Sequence, residues 1–510
     1  MQHILIINLD GPDSILLTAP FIVSLKTYYP ASEISFLTFG EENEYSKLLP
    51  SIDHFFQIEK KKIKTFLKGK IFPDAQAINS LEKTLSNICR QNLDSIIHTG
   101  FSLEGALLSS YISLKSITSN FYGIKFESTK KLYPSNLWFL IQQSLMNYKF
   151  NPLNPTEYLH LGNNLFFDPQ IPRRNSGHKN IGILLPTKPE DDFLPFQTLV
   201  ELIDHLRNSG GYFPVLLVDF QKINREYFTK LNRYFNYELE IIYTNFENAK
   251  KTLALLDYFI TGQSLLKYLA HSEGISIIEI TDNMEAPLIG PKNIILKKGA
   301  DRIKGLDIFN CLEGNFYFNS VDLQLFSCSQ DRVGYRLQRL HGKFSFNEEI
   351  SRLMARYLVG ALYLQERDET ILSDIADFPQ KEASEWIENQ KNLNNEVSGK
   401  LLNILRLLSL VEEGDSYKKD LIVNLDDLLS FSNSESLNAI PILIFKYKIE
   451  YSPINELKIF ENNIFALKEQ IQVVNSSIRD LEGQVWNKKK ESLIKKAFGN
   501  RVNLNEELPQ

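Results

Sequence analysis

Apolar and polar positions alternate in blocks along the first third of the chain. His3–Leu9 is an apolar run that ends in the polar turn Asp10-Gly11-Pro12-Asp13-Ser14. A helical pattern follows from Ile15 to Tyr29, and a second apolar run covers Ile34–Phe39. This is a β-α-β unit with a loop carboxylate and a helix N-terminus at the carboxyl end of a buried strand, where open α/β sheets bind ligands. Further strands are predicted at His54–Gln57 and Ser95–His98, and helices at Asn79–Gln91 and Leu103–Ile112. Strands alternating with helices imply a parallel sheet.

The pattern repeats after a linker read at 166–179, which carries prolines and Arg173-Arg174-Asn175-Ser176-Gly177. Strands are predicted at Asn180–Pro186, Phe213–Val218, Leu239–Tyr243, Tyr258–Thr261 and Ser276–Ile280. Helices are predicted at Phe196–Ser209, Ala249–Leu256 and Leu265–Ser272. Beyond about residue 345 the pattern is helical. Leu457, Phe460, Ile464, Leu467, Ile471, Val474, Ile478, Leu481 and Val485 fall at alternating spacings of three and four. That stripe reads either as a coiled-coil seam over 454–486, joining two copies in a homodimer, or as a long helix packed on its own protein. The expected organisation is an α/β domain over 1–165, a second over 175–335, and a helical extension over 345–510.

Composition narrows the class. The chain has 510 residues, 43% hydrophobic and 23% charged, with a formal net charge of −6. That balance suits a globular protein and gives no reason to expect nucleic-acid binding. Cys89, Cys311 and Cys328 are too scattered for a disulfide framework or a zinc site, and no metal-ligand spacing is present. The start lacks the basic segment of a signal peptide, and no apolar run approaches the roughly 18 residues of a membrane span. A cytoplasmic location is expected, with any contact at the inner face of the membrane peripheral. Lys60-Lys61-Lys62-Ile63-Lys64 and the tail from Lys488 to Arg501 are basic stretches suited to solvent or to anionic lipids.

The segment Ile15-Leu16-Leu17-Thr18-Ala19-Pro20, with Ser24-Leu25-Lys26, resembles the opening of glycosyltransferase family 9, the heptosyltransferase-like enzymes of lipopolysaccharide assembly. Leu49-Pro50-Ser51-Ile52-Asp53, Leu93–His98, Gly105-Ala106-Leu107-Leu108 and Tyr122-Gly123-Ile124 look like the family's next segments in order. Thr261–Ile278 is similar to its nucleotide-binding turn and helix. The resemblance covers roughly residues 1 to 315. It implies a GT-B-like fold, two Rossmann-like domains facing across a cleft, with acceptor held by the first and donor by the second. It implies sugar transfer, heptose-like, from a nucleotide-diphospho-sugar to a saccharide or glycolipid acceptor in envelope polysaccharide synthesis. No metal or other cofactor is implied.

The resemblance aligns Asp13 with a glycine and Ser14 with the family's catalytic aspartate. Gln263-Ser264-Leu265-Leu266-Lys267-Tyr268 stands where the family has a motif close to Asp-Ser-Gly-Pro-Met-His. Asp191-Asp192-Phe193 stands where it has Lys-x-Trp-Pro, with Lys188 nearby. On this basis Asp13 is the expected catalytic base, and Asp10, Ser14 and His98 are acceptor-side residues. Thr187, Lys188, Gly262, Gln263, Ser264 and Lys267 are donor-side residues. A base must take the proton of the acceptor hydroxyl, and a helix N-terminus stabilises the departing diphosphate. The plain structural alternatives are an N-cap role for Asp13 or Ser14 and an ordinary strand-to-helix turn at 261–265. A catalytically inactive scaffold acting through its helical C-terminus is the alternative function.

Overall fold

The computed structural model describes residues 2–40, 43–67, 73–116, 120–126, 132–165, 179–186, 193–219, 225–235, 237–282, 290, 292–298, 302–318, 320, 322–331, 333–411, 414–451 and 457–498. The linker read at 166–179 lies almost wholly outside them.

The first sheet contains β1 (His3–Ile7), β2 (Glu33–Phe39), β3 (His54–Ile58), β4 (Ser95–His98) and β5 (Asn120–Tyr122). All are parallel, in the order β3-β2-β1-β4-β5. Strands buried on both faces read as continuous apolar runs, which is why Ile4–Ile7 and Ile34–Leu37 carry so few polar residues. The expected first helix is two, Pro12–Leu17 and Ala19–Tyr28. Pro20 cannot donate to the carbonyl of Leu16, and the Thr18 hydroxyl bonds the Ile15 carbonyl at 2.6 Å instead, so the axis breaks there. A two-stranded hairpin follows, β6 (Ile124–Phe126) with β7 (Leu132–Pro134).

The second sheet contains β8 (Lys179–Leu184), β9 (Tyr212–Val218), β10 (Glu240–Tyr243), β11 (Tyr258–Thr261), β12 (Ser276–Thr281), β13 (Ile294–Lys297), β14 (Gln324–Gln330) and β15 (Tyr335–His341). Their order is β10-β9-β8-β11-β12-β13-β14-β15, parallel up to β13 and antiparallel beyond it. Six parallel strands in this order form a doubly wound Rossmann sheet. The β14–β15 hairpin was not legible in the sequence, because Ser327, Ser329, Arg336 and Gln338 interrupt its apolar positions. Buried Glu157, on the Pro155–Gly162 helix, accepts the Tyr335 amide at 2.9 Å and ties the hairpin down.

Both sheets fall in one compact unit of 1–139, 156–330 and 334–343. The helix after β1 packs on the Leu265–Ser272 helix after β11, so the sheets meet at their carboxyl edges. One apolar cluster runs through the meeting, from Ile15, Leu16 and Phe21 to Leu266, Leu269 and Ala270. Tyr45 and Phe246 add an edge-to-face contact at 4.9 Å. This is a GT-B-like arrangement of two Rossmann-like layers, with a helical C-terminal region.

The second unit is helical and comprises 140–155, 331–333 and 344–510. Arg356 explains why the two short pieces belong to it. Its guanidinium bonds the Asp331 carboxylate at 2.8 Å and the Pro152 carbonyl at 2.8 Å, all buried. Lys149 bridges Glu348 and Glu435 at 3.1 and 2.8 Å.

The long apolar stripe lies on the Leu457–Phe498 helix. Its residues Ile464, Leu467, Val474, Ile478 and Leu481 are at most 1% exposed. They are covered by the chain's own Glu369–Ala376, Gln380–Leu410 and Ala439–Tyr451 helices. This corrects the homodimeric coiled-coil reading. The stripe is already filled within one chain and offers no seam to a second. Periodicity specifies that a face is buried, not what buries it. Ile464→Ala should therefore cost about 2–4 kcal/mol, the range for a truncated core aliphatic. Denaturant midpoints would measure it, and light scattering should find the particle mass unchanged.

Candidate active site

The loop after β1 is organised by Asn8, a buried polar residue at the end of an apolar strand. Its side-chain amide donates to the Ser14 hydroxyl at 3.0 Å and the Thr99 hydroxyl at 3.1 Å, while its carbonyl accepts the Asp10 amide at 3.2 Å. Gly11 starts the helix at φ 125°, ψ 177°, a region essentially open only to glycine. Sequence reasoning passed over Asn8. The signal was there, since an amide ending a strand that is otherwise aliphatic must be satisfied by something it organises.

Asp10 is engaged within the protein. Its carboxylate accepts the amides of Phe101 and Ser102, the latter at 3.0 Å, and so anchors the loop that starts the Leu103–Lys115 helix. Ser14 is held by Asn8. Neither Asp13 nor Ser14 caps its helix, because Gly11 occupies that position and no side chain bonds there. Asp13 is exposed in the first turn. Its charge is felt by the Tyr268 hydroxyl on the opposite helix.

His98 departs from the expected acceptor role. It is 1% exposed, packed against Gly105 and Gly123 beneath the sheet edge. Nδ1 donates to the Ile124 carbonyl at 3.0 Å, so Nε2 carries the lone pair and is buried without a partner. Burial holds the imidazole below its ordinary pKa, against smaller opposing effects of the Ile124 carbonyl and Asp10.

On the donor side, Ser264 caps the Leu265–Ser272 helix by accepting the Leu266 amide at 3.1 Å, and it donates to Asp219 at 2.7 Å. Gly262 is required by the close approach of the Phe193 ring. A Cβ there would lie 2.6 Å from the Phe193 ring. Lys267 also departs from expectation. It is fully buried, with Nζ 2.6 Å from Glu279 and 2.7 Å from the Gln263 carbonyl oxygen. Its charge is already neutralised by Glu279, on β12, which sequence reasoning missed. A carboxylate inside Ile277-Ile278-Glu279-Ile280 was the available signal, because a buried acid demands a cation. Thr187 and Lys188 lie outside the described residues.

Gln263 is exposed and hydrogen bonds the Tyr268 hydroxyl. Burial, reinforced by Asp13 and partly offset by Gln263, pushes that hydroxyl up to about 12, so Tyr268 remains an O–H donor at neutral pH. The Asp13 carboxylate of the first sheet thus acts electrostatically on Tyr268 of the second, whose hydroxyl Gln263 hydrogen bonds. Among the described residues, no three His, Cys, Asp or Glu side chains converge to hold a metal.

The chain is similar to solved heptosyltransferases. The E. coli heptosyltransferase WaaC with ADP-2-deoxy-2-fluoro heptose aligns over 62% of this chain and 100% of its own, at 12% identity and TM-score 0.43. The glycosyl transferase family 9 structure from Veillonella parvula DSM 2008 aligns over 62% and 97%, at 13% identity and TM-score 0.39. The E. coli ADP-heptose lps heptosyltransferase II aligns over 62% and 98%, at 12% identity and TM-score 0.36. No protein-family model matches the sequence. No curated protein matches it either. The strand orders described above define the fold.

Two further histidines give the unit a measurable acid response. Burial pushes His160 down to about 4, against a smaller opposing effect of the Thr156 carbonyl, and it pushes His271 down to about 4 as well. His160 lies 2.9 Å from the Ser24 hydroxyl and 2.6 Å from the Thr156 carbonyl. In the unfolded chain each titrates near 6.5. Between those values the unfolded state binds more protons, so stability is complete above about pH 6.5 and falls as pH drops toward 4. The expected slope is about 1.4 kcal/mol per pH unit for each imidazole. Urea midpoints between neutral and mildly acidic pH would show it, and His271→Leu should lower the slope by about 1.4 kcal/mol per pH unit.

Proposed function

We propose that the chain is a glycosyltransferase that moves a sugar from a nucleotide-diphospho-sugar to a saccharide or glycolipid acceptor. The observation that carries this reading is the exposed Asp13, free of any capping duty, on the Pro12–Leu17 helix that packs against the Leu265–Ser272 helix. In the proposed step the acceptor hydroxyl loses its proton to Asp13. Its oxygen bonds the anomeric carbon as the bond from that carbon to the phosphate oxygen breaks, and the nucleoside diphosphate leaves. The capped N-terminus of the Leu265–Ser272 helix supplies amides and a favourable dipole for the leaving group. The donor sugar we favour is heptose-like and the pathway envelope polysaccharide synthesis, on the inner, cytoplasmic face of the membrane. No described helix is long and apolar enough to cross a membrane, and peripheral contact suits that.

A second reading has its own support. Lys267 is closed off by Glu279, and Phe193 fills the space over Gly262. Both favour a GT-B-derived binding or scaffold protein without catalysis. Titrating the purified chain with ADP-, UDP- and GDP-sugars separates the two. Saturable binding of one of them, with release of its diphosphate when an acceptor is added, supports the enzyme. No binding to any of them would sink it.

A further inference from the structure

In the second unit, the Phe346–Val359 and Gln380–Leu410 helices and the turn at Glu435 enclose a pocket of about 180 Å³. A cavity of roughly 150 Å³ is enough for a six-membered ring. The floor is polar although buried: Trp386 is 4% exposed, Ser351 4% and Gln390 2%. The inward stripe of the Gln380–Leu410 helix has Ala383, Ile387, Val397, Leu401 and Ile404 on either side of Gln390, so packing alone does not call for an amide there. Gln390 accepts the Leu437 amide at 3.0 Å and donates to the Glu435 carbonyl at 3.3 Å, which leaves its second N–H. Ser351 accepts the Trp386 indole N–H at 3.0 Å and keeps its own O–H. The floor thus offers two donors beside an indole. The rim is exposed and carries Asn347, Asn389, Glu385 and Glu435. Neither asparagine side chain has a hydrogen-bond partner among the described residues. Glu435 is already paired with Lys149 at 2.8 Å.

We infer that this pocket holds one neutral sugar ring of a saccharide. The lining selects that class over the other small ligands. Among the described residues no cation lines the pocket and two carboxylates do, so a phosphate or an acidic sugar is repelled. An ammonium ion would meet donors at the floor and find nothing there to accept its protons. A purely apolar ring would leave the Ser351 and Gln390 donors buried and unpaired. Sugar hydroxyls each donate and accept. They take up the floor donors, the rim amides and the rim carboxylates together, while the C–H face of the ring packs on the indole. The inference does not rest on the proposed glycosyl transfer. Asp13 and the Leu265–Ser272 helix belong to the first unit, and this pocket belongs wholly to the second. Joined to that reading, it gives the helical region a saccharide-holding role of its own.

Saturation-transfer NMR of the full chain with glucose, galactose, mannose and N-acetylglucosamine tests the inference without nucleotide or turnover. At least one of these sugars should bind at millimolar concentration. Asn347→Ala/Asn389→Ala removes two exposed, unpaired amides, so it should weaken that sugar about tenfold or more while the melting temperature stays unchanged. Glu385→Gln keeps an acceptor and removes a charge, so affinity should change by less than about threefold. Putrescine and inorganic phosphate are the competing probes. Binding of either in preference to every sugar overturns the inference, and so does the absence of sugar binding. A double asparagine variant that binds the sugar as well as the wild type also overturns it, because the sugar then sits elsewhere. Comparing the bound sugar with its trisaccharide identifies the source. Tighter binding of the trisaccharide assigns a glycan chain and equal binding a free sugar, and both uphold the pocket. Nucleotide-sugar binding is measured separately, so failure of either reading leaves the other standing.

Discussion

Lys267→Met is expected to destabilise the first unit by about 3–5 kcal/mol, because it leaves the Glu279 carboxylate buried without its cation. The two side chains are 0% and 3% exposed and 2.6 Å apart, so neither is screened by solvent. A buried pair need not be net favourable, since both charges lost their hydration to form it. Breaking it is nonetheless costly. Replacing both partners, Lys267→Met with Glu279→Leu, should therefore recover most of the loss. Denaturant midpoints of the two single variants and the double variant form the cycle that measures this. A single Lys267→Met variant within about 1 kcal/mol of wild type would remove the pair from any structural role. The double variant also tests function. If it folds and still binds a nucleotide-sugar, the Lys267 ammonium takes no part in holding the diphosphate.

Asp13→Asn should reduce sugar transfer by about two to four orders of magnitude, the scale of a lost general base. It should leave the melting temperature nearly unchanged, because Asp13 is exposed and makes no cap. That combination separates a chemical role from a structural one. Tyr268→Phe provides the companion measurement. It removes the hydroxyl that Gln263 hydrogen bonds and the Asp13 charge acts on, while keeping the ring in the core, so a change in turnover with little change in stability would extend the site to the second sheet. Full activity in Asp13→Asn would exclude Asp13 as the base. Unchanged donor binding in the same variant would place its effect on the acceptor step.

The sequence by itself determined the elements whose identity depends on local pattern. Apolar runs closed by polar turns mark β1, β2, β4, β8, β9, β11 and β12, because a strand covered on both faces has no alternative composition. The polar turn from Asp10 to Ser14 marks the approach to a helix, and the stripe from Leu457 to Val485 marks a buried face. Only the tertiary structure decided what each group meets. Asp13 and Ser14 are equally good caps by residue type, yet the φ of Gly11 assigns the cap position to neither. Lys267 reads as a free cation until Glu279, 12 residues on and across a strand boundary, is brought to 2.6 Å. Gly262 reads only as a donor-side residue of a turn, and the structure supplies the reason for a glycine, the Phe193 ring standing where its Cβ would be. The stripe on the last helix reads as a dimer seam until the chain's own helices cover it. In each case the residue type sets what contact is needed, while long-range packing, with no trace in local spacing, selects the partner that supplies it.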